Sequence, residues 1–381
     1  MTYATDYARR TPRQARLILV ATAVAAIAGM LVTVSPFGST NYLPERRSPG
    51  DVALYRAEVD RIHQGEGYYQ AAASELAARD YPMLSVFNWR TPLPMWLLGK
   101  MPAVELGKAL LGILALILLM LTFEATAREE EAAAAKDLPS PDAPFPKGTL
   151  RRPAATALLL TGAMLPTVLG NLFTLPVLWS GIWIALSICA YGIDRRWLGV
   201  LFGLTALFFR ELALPYCVLC VALAWREKQR REWIGWAIGL SAWLLFFAWH
   251  CQTVSGLIPP NAHAHEQGWV QVGGAGFVIS TAQMNAYLLL LPQWVTALFL
   301  VAALVGFAGW STALGTRVGL TTCLFLAAFA MVGHSFNQYW GCMMAPLLCF
   351  GAARFPASLR DLWLAAAWRH TPLSSRACSA K

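Results

Sequence analysis

The chain has 381 residues, of which 57% are apolar and only 13% charged, with a mean hydropathy of +0.49. That balance excludes an ordinary soluble globular composition and reads as a polytopic membrane protein. The formal charge of +9 sits in short basic clusters between apolar runs, a pattern of cytoplasmic loops rather than of a nucleic-acid surface.

In chain order, Arg9, Arg10, Arg13 and Arg16 precede an apolar run at 17–34. The run is long and has no convincing cleavage site, so it reads as a first membrane helix with a cytoplasmic N-terminus. A polar stretch at 35–102 follows, then a second expected span at 105–124. Within the polar stretch Val52, Tyr55, Val59 and Ile62 recur at three and four residues, which predicts an amphipathic helix lying on a membrane surface. The segment 125–153 is rich in Pro, Ala and charge, has little to bury, and is expected as a flexible cytoplasmic loop. Further spans are expected at 154–170, 173–192, 197–210, 212–225, 234–250, 293–310, 318–333 and 340–353. The expected fold is therefore an all-α integral membrane protein with about ten transmembrane helices and amphipathic surface helices in the first extracytoplasmic loop. Its organisation is an N-terminal membrane module at 1–124 that carries the loop 35–102, the linker 125–153, and a C-terminal membrane module at 154–381 with a short cytoplasmic tail. Most Lys and Arg fall on the cytoplasmic side of this arrangement, which places 35–102 and a second loop at 251–292 outside.

Asp51 opens the stretch GDVALYRAEVDRIHQGEGYY. Its carboxylate suits a general base for a hydroxyl held within hydrogen-bond reach, and equally suits an N-cap for the helix that follows. Glu58, seven residues on, shares its helical face, while Asp60 points elsewhere. Either acid could hold a metal or sugar hydroxyls, or simply be solvated. Tyr68 and Tyr69 follow a glycine-bounded turn. Arg90, in NWRTPLP, could contact a phosphate or carboxylate, or snorkel to headgroups. Arg210 and Glu211, in LFFREL, lie between two apolar runs, where ionisable groups are expensive. They could pair with one another or close a hairpin; alternatively the guanidinium could grip a phosphate. His263, His265 and Glu266 form a loose HAHE cluster without diagnostic metal spacing. His334, Asn337, Gln338 and Tyr339 form a polar turn in GHSFNQYWGCMMAP on the side of Asp51, either lining a cavity or closing a satisfied turn. Cys217 and Cys220 make an isolated CxxC, a weak metal or redox signal.

With these residues in hand, GDVALYRAEVDRI, GEGYY, RTPLPMW, FFREL and NQYWGCMMAP resemble motifs of the GT-C superfamily of polytopic membrane glycosyltransferases, which use polyprenyl-phosphate-linked sugars. The resemblance covers most of the chain in topology and a few short motifs in sequence. It implies an inverting transfer of a sugar from a polyprenyl-phosphate donor to a hydroxyl acceptor (a lipid, a glycan or a small molecule), on the extracytoplasmic side of a bacterial inner membrane, by a monomer that binds no nucleic acid. Asp51 would deprotonate the acceptor. Arg210, assisted by Arg90, would stabilise the leaving phosphate, with Glu211, Glu58, Asp60, Tyr68, Tyr69, His334, Asn337, Gln338 and Tyr339 around the substrates. Where members commonly carry the acid pair DE, Asp51 is followed by Val52, so no cofactor is certain and a divalent Mg or Mn ion stays open. Two other classes remain: a transporter or flippase for a polar or lipid-linked solute, which would place acids or broken helices near the bilayer midplane in two related halves, and a structural or assembly protein.

Overall fold

The computed structural model describes residues 5–34, 50–136, 150–265, 268 and 271–367, and every regular element among them is helical. The first helix, α1 (Pro12–Val34), is followed by a group of short ones: α2 (Gly50–His63), α3 (Tyr68–Ala78), α4 (Val86–Trp89) and α5 (Pro92–Gly99). Then come α6 (Leu106–Lys136), α7 (Arg151–Met164), α8 (Pro176–Gly192), α9 (Arg196–Phe209), α10 (Leu214–Arg226) and α11 (Arg230–Ser255). The last group is α12 (Gly274–Ala282), α13 (Ala286–Leu289), α14 (Gln293–Ala308), α15 (Ala313–Met331) and α16 (Ala345–Ala367), with a 3₁₀ segment at Ser335–Met343 before α16.

Local sequence explains most boundaries. Gly65 turns the chain at a φ of +106°, a left-handed conformation that suits a residue without Cβ, and so separates α2 from α3. Pro92, Pro176 and Pro215 stand in the first turns of α5, α8 and α10, where a missing N–H costs nothing. α8 is apolar all round and nearly every residue of it is buried, so it forms the centre around which α6, α9, α15 and α16 pack. α14 and α16 cross where Gly306 meets Gly351, and a side chain at either position would collide with the facing backbone.

The ten-span expectation is corrected by helix length. Among the described residues four helices are long and apolar enough to cross a membrane: α1, α6 as far as Ala135, α11 and α15. A fifth arises only if Ser335–Met343 and α16, bent by 68°, count as one span. The runs expected to cross at 154–170, 173–192, 197–210, 212–225 and 293–310 form helices of 14, 17, 14, 13 and 16 residues. A crossing needs roughly 20 residues at 1.5 Å each. These runs are apolar because they fill a common protein core, whose buried members include Leu160, Trp179, Ile188, Leu207, Cys217 and Ala303.

The surface-helix expectation for the 50–78 stretch is corrected in the same way. Leu54, Tyr55, Val59 and Ile62 of α2, and Ala71, Ala72 and Leu76 of α3, are buried in that core rather than laid on its outside. The spacing that predicts an apolar stripe is present in α2, but the stripe packs on α5 and α3. α6 runs on to Lys136, so the first part of the 125–153 segment is helical, and 137–149 lies outside the described residues.

Candidate functional site

The buried polar cluster begins with Asp51 in the first turn of α2. Its side chain caps nothing among the described contacts. Instead Oδ1 accepts the Tyr81 hydroxyl at 3.0 Å and Oδ2 accepts the Tyr339 hydroxyl. Two phenols, from the loop after α3 and from the 3₁₀ segment before α16, therefore converge on one carboxylate.

Arg90 lies beside it, with Nη2 3.8 Å from Asp51 Oδ2. The residue ends α4 with φ 58° and ψ 167°, a region that L-residues adopt only under strain. The surroundings hold it there: Nε donates to the Tyr55 hydroxyl at 2.6 Å, Nη1 donates to the Phe87 carbonyl, and the Arg90 carbonyl accepts from Tyr68 at 3.1 Å. Strain of this kind, of order 1–3 kcal/mol, is characteristic of groups whose position matters. Burial pushes the Tyr55 phenol up to about 12 against the opposing pull of Arg90, so it is uncharged at neutral pH. Tyr55 accepts from Arg90 and donates to no described residue, so its own O–H is left available as a donor.

The next residue ties this loop to the second arginine. The Thr91 hydroxyl donates to the carbonyls of Phe208 and Phe209 at 3.3 and 3.5 Å, immediately before Arg210. Arg210 terminates α9 in extended conformation, with φ −154° and ψ 123°. Its side chain is only 2% exposed, and its Nε lies 3.3 Å from Glu211 Oε1 without making a hydrogen bond. Both Arg90 and Arg210 act electrostatically on Tyr55 and Tyr339, which places the two guanidinium groups around the same phenols.

Glu58 lies two turns along α2 from Asp51, 1% exposed, with Oε2 unpartnered among the described residues. Burial pushes its carboxyl up to about 8, so it is neutral at physiological pH. The formal balance of the cluster is then two guanidinium groups against Asp51 and Glu211.

The remaining sequence candidates fall around or away from this centre. Asp60 pairs with Arg56 one turn back, at 2.9 Å, on an outer face that also engages Glu105. Tyr68 is structural, donating to the Trp89 and Arg90 carbonyls. Tyr69 turns away to His250 Nδ1, 2.9 Å from its hydroxyl. His334 stacks with Phe336 and meets the His265 ring at a tilt, while Asn337 is buried and Gln338 half-buried in the same 3₁₀ segment. His263 stands 3.8 Å from Asp80, and Glu266 lies outside the described residues. Among the described residues no three His, Cys, Asp or Glu side chains are grouped to hold a metal ion. Cys217 and Cys220 are free, buried thiols. A groove of about 730 Å³ between α6 and the end of α7 contains none of the cluster.

Sequence reasoning missed Tyr81 and undervalued Tyr55. For Tyr55 a signal existed: it sits one turn from Asp51 on the same face of α2. For Tyr81, in the loop after α3, none did.

The chain matches no protein-family model, no curated protein and no solved structure. The resemblance to GT-C glycosyltransferases is corrected by the architecture, since four candidate crossings, or five with the bent pair, fall far short of the ten on which it rested. With it go the inverting sugar transfer, the polyprenyl-phosphate donor and membrane-lipid partners, and the assignment of Asp51 to an extracytoplasmic face of a bacterial inner membrane, because each depended on that span count. The short apolar helices build a core, and apolar composition alone does not distinguish that use from a bilayer crossing.

Proposed function

We propose that the chain is a binding protein for a small oxyanion, a carboxylate or phosphate group, taken up between Arg90, Arg210 and Tyr55. The observation that carries this reading is the Arg210 guanidinium. It offers five N–H donors, is almost fully buried, and makes no hydrogen bond among the described residues. Its buried Nε is a charged donor left unmatched, and a planar oxyanion is the group that guanidinium geometry matches best. The Tyr55 hydroxyl supplies a further donor, and Arg90 is already fixed in place by Tyr55 and the Phe87 carbonyl. Asp51, engaged by two phenols, accepts rather than donates, which suits a ligand carrying a hydroxyl beside its anionic group.

Isothermal titration of the full-length protein with sulfate, phosphate and acetate tests the proposal. Saturable binding of at least one anion is expected, reduced by a factor of about 30 or more in Arg210→Met, as for loss of a buried charged partner. Arg210→Lys keeps the charge but loses the fork, and should fall between the two. Equal affinity in wild type and Arg210→Met, or no anion binding at all, would overturn it.

A further inference from the structure

Glu58 is the buried titratable group that the oxyanion grip leaves unused. It shares the inner face of α2 with Asp51 and Tyr55 and is 1% exposed. The charged and titratable groups that face it are Asp51 on its own helix, Tyr68, Glu75 and Arg79 from α3, and Arg90 from the end of α4. Arg90 and Arg79 both favour its ionised form, but burial outweighs them. Arg79 is paired with Glu75 at 2.9 Å, and Glu75 also takes Arg61 at 2.5 Å. Arg90 is committed to Tyr55, the Phe87 carbonyl and Asp51. No hydrogen bond reaches Oε2 from any described residue. A neutral carboxyl here leaves the field of Arg90 to the ligand. An ionised one would add a negative charge that competes with the anion for the field of Arg90, in a region of low dielectric where like charges repel strongly.

We propose that Glu58 makes oxyanion binding proton-linked, the site holding its anion while Glu58 is a neutral acid and losing affinity for it when Glu58 gives up its proton. This rests on the oxyanion reading above. The only bond change is ionisation: the O–H bond of the carboxyl breaks, the proton goes to solvent, and the carboxylate keeps the electron pair. Linkage is reciprocal, so the bound anion raises the proton affinity of Glu58 by the same factor as protonation raises anion affinity. The group belongs to the range in which such a switch operates, because burial pushes its carboxyl up to about 8.

Sulfate is the suitable probe, since it remains a dianion throughout and any titration then belongs to the protein. The Kd of the full-length protein for sodium sulfate is measured by calorimetry from about pH 6 to about pH 10, each point in two buffers of different ionisation enthalpy. In wild type the affinity should be level at the acid end and fall by up to about tenfold per pH unit once Glu58 ionises, with up to one proton taken up per sulfate bound. In Glu58→Gln both the slope and the proton uptake should vanish while sulfate still binds. The wild-type proton uptake needs no variant, so the inference stays testable even if Glu58→Gln does not fold. Binding without slope or proton uptake, or a slope retained in Glu58→Gln, would overturn this inference alone. Absence of sulfate binding at every pH would overturn the oxyanion reading beneath it.

Discussion

Arg210→Met separates a ligand-binding arginine from a structural one by the size of its effect on stability. Breaking a well-formed buried ion pair by removing one partner typically costs 3–5 kcal/mol, because the other charge is stranded. At Arg210 the geometry argues for much less. Its contact with Glu211 is 3.3 Å without hydrogen-bond geometry, and Glu211 retains 11% side-chain exposure through which water can reach it. Met also has a long unbranched stem that can fill the space of the Arg210 side chain, and it replaces a charge that finds no hydrogen bond. The expected change, without ligand, is within about 1 kcal/mol of wild type in either direction. Urea unfolding of the purified protein followed by tryptophan fluorescence, with and without sulfate, supplies the assay. Wild type should gain stability as RT ln(1 + [L]/Kd), about 2.7 kcal/mol at a hundredfold excess over Kd, and the variant should gain almost nothing. A loss above about 3 kcal/mol in ligand-free Arg210→Met would refute the reasoning and return Arg210 to a purely structural pair with Glu211.

Three further outcomes follow from the same contacts. Arg90→Lys loses the donors to Tyr55 and to the Phe87 carbonyl, and should weaken sulfate binding by about tenfold in calorimetry while the helical circular dichroism is unchanged. Arg354 stacks over Trp310 with its guanidinium carbon 3.6 Å from the ring centre and pairs with Glu129 at 2.7 Å and Glu130 at 3.1 Å. Arg354→Met should therefore destabilise the protein by about 2–4 kcal/mol in denaturant unfolding, the lower end applying because Glu130 keeps Arg152 and Glu129 keeps the Trp310 N–H. Glu58 has a folded-state carboxyl raised from 4.5 to about 8, so its contribution to wild-type stability is fully present below 4.5 and is lost as pH rises towards 8. Glu58→Gln should consequently gain on wild type between those limits, levelling above 8 at an advantage of a few kcal/mol, read from unfolding curves at acid and alkaline pH.

What the sequence determined by itself is local. The spacing of Tyr55, Val59 and Ile62 marked the inner face of α2 and put Asp51 and Glu58 on it, because a helix repeats every 3.6 residues whatever surrounds it. The helical class and the break at Arg210 were legible for the same reason. Tertiary structure decided what those faces meet. An apolar run has the same composition whether it crosses a bilayer or fills a core, and only helix length and packing show that the runs from α7 to α10 fill one. The partners of Asp51 stand 30 and 288 positions away in the chain, so no local pattern points to Tyr81, and the polar turn that marks Tyr339 does not pair it with Asp51. The positive φ of Arg90 belongs to this second category too, since it is imposed by contacts with Tyr55, the Phe87 carbonyl and Tyr68, and a sequence read residue by residue favours the opposite sign.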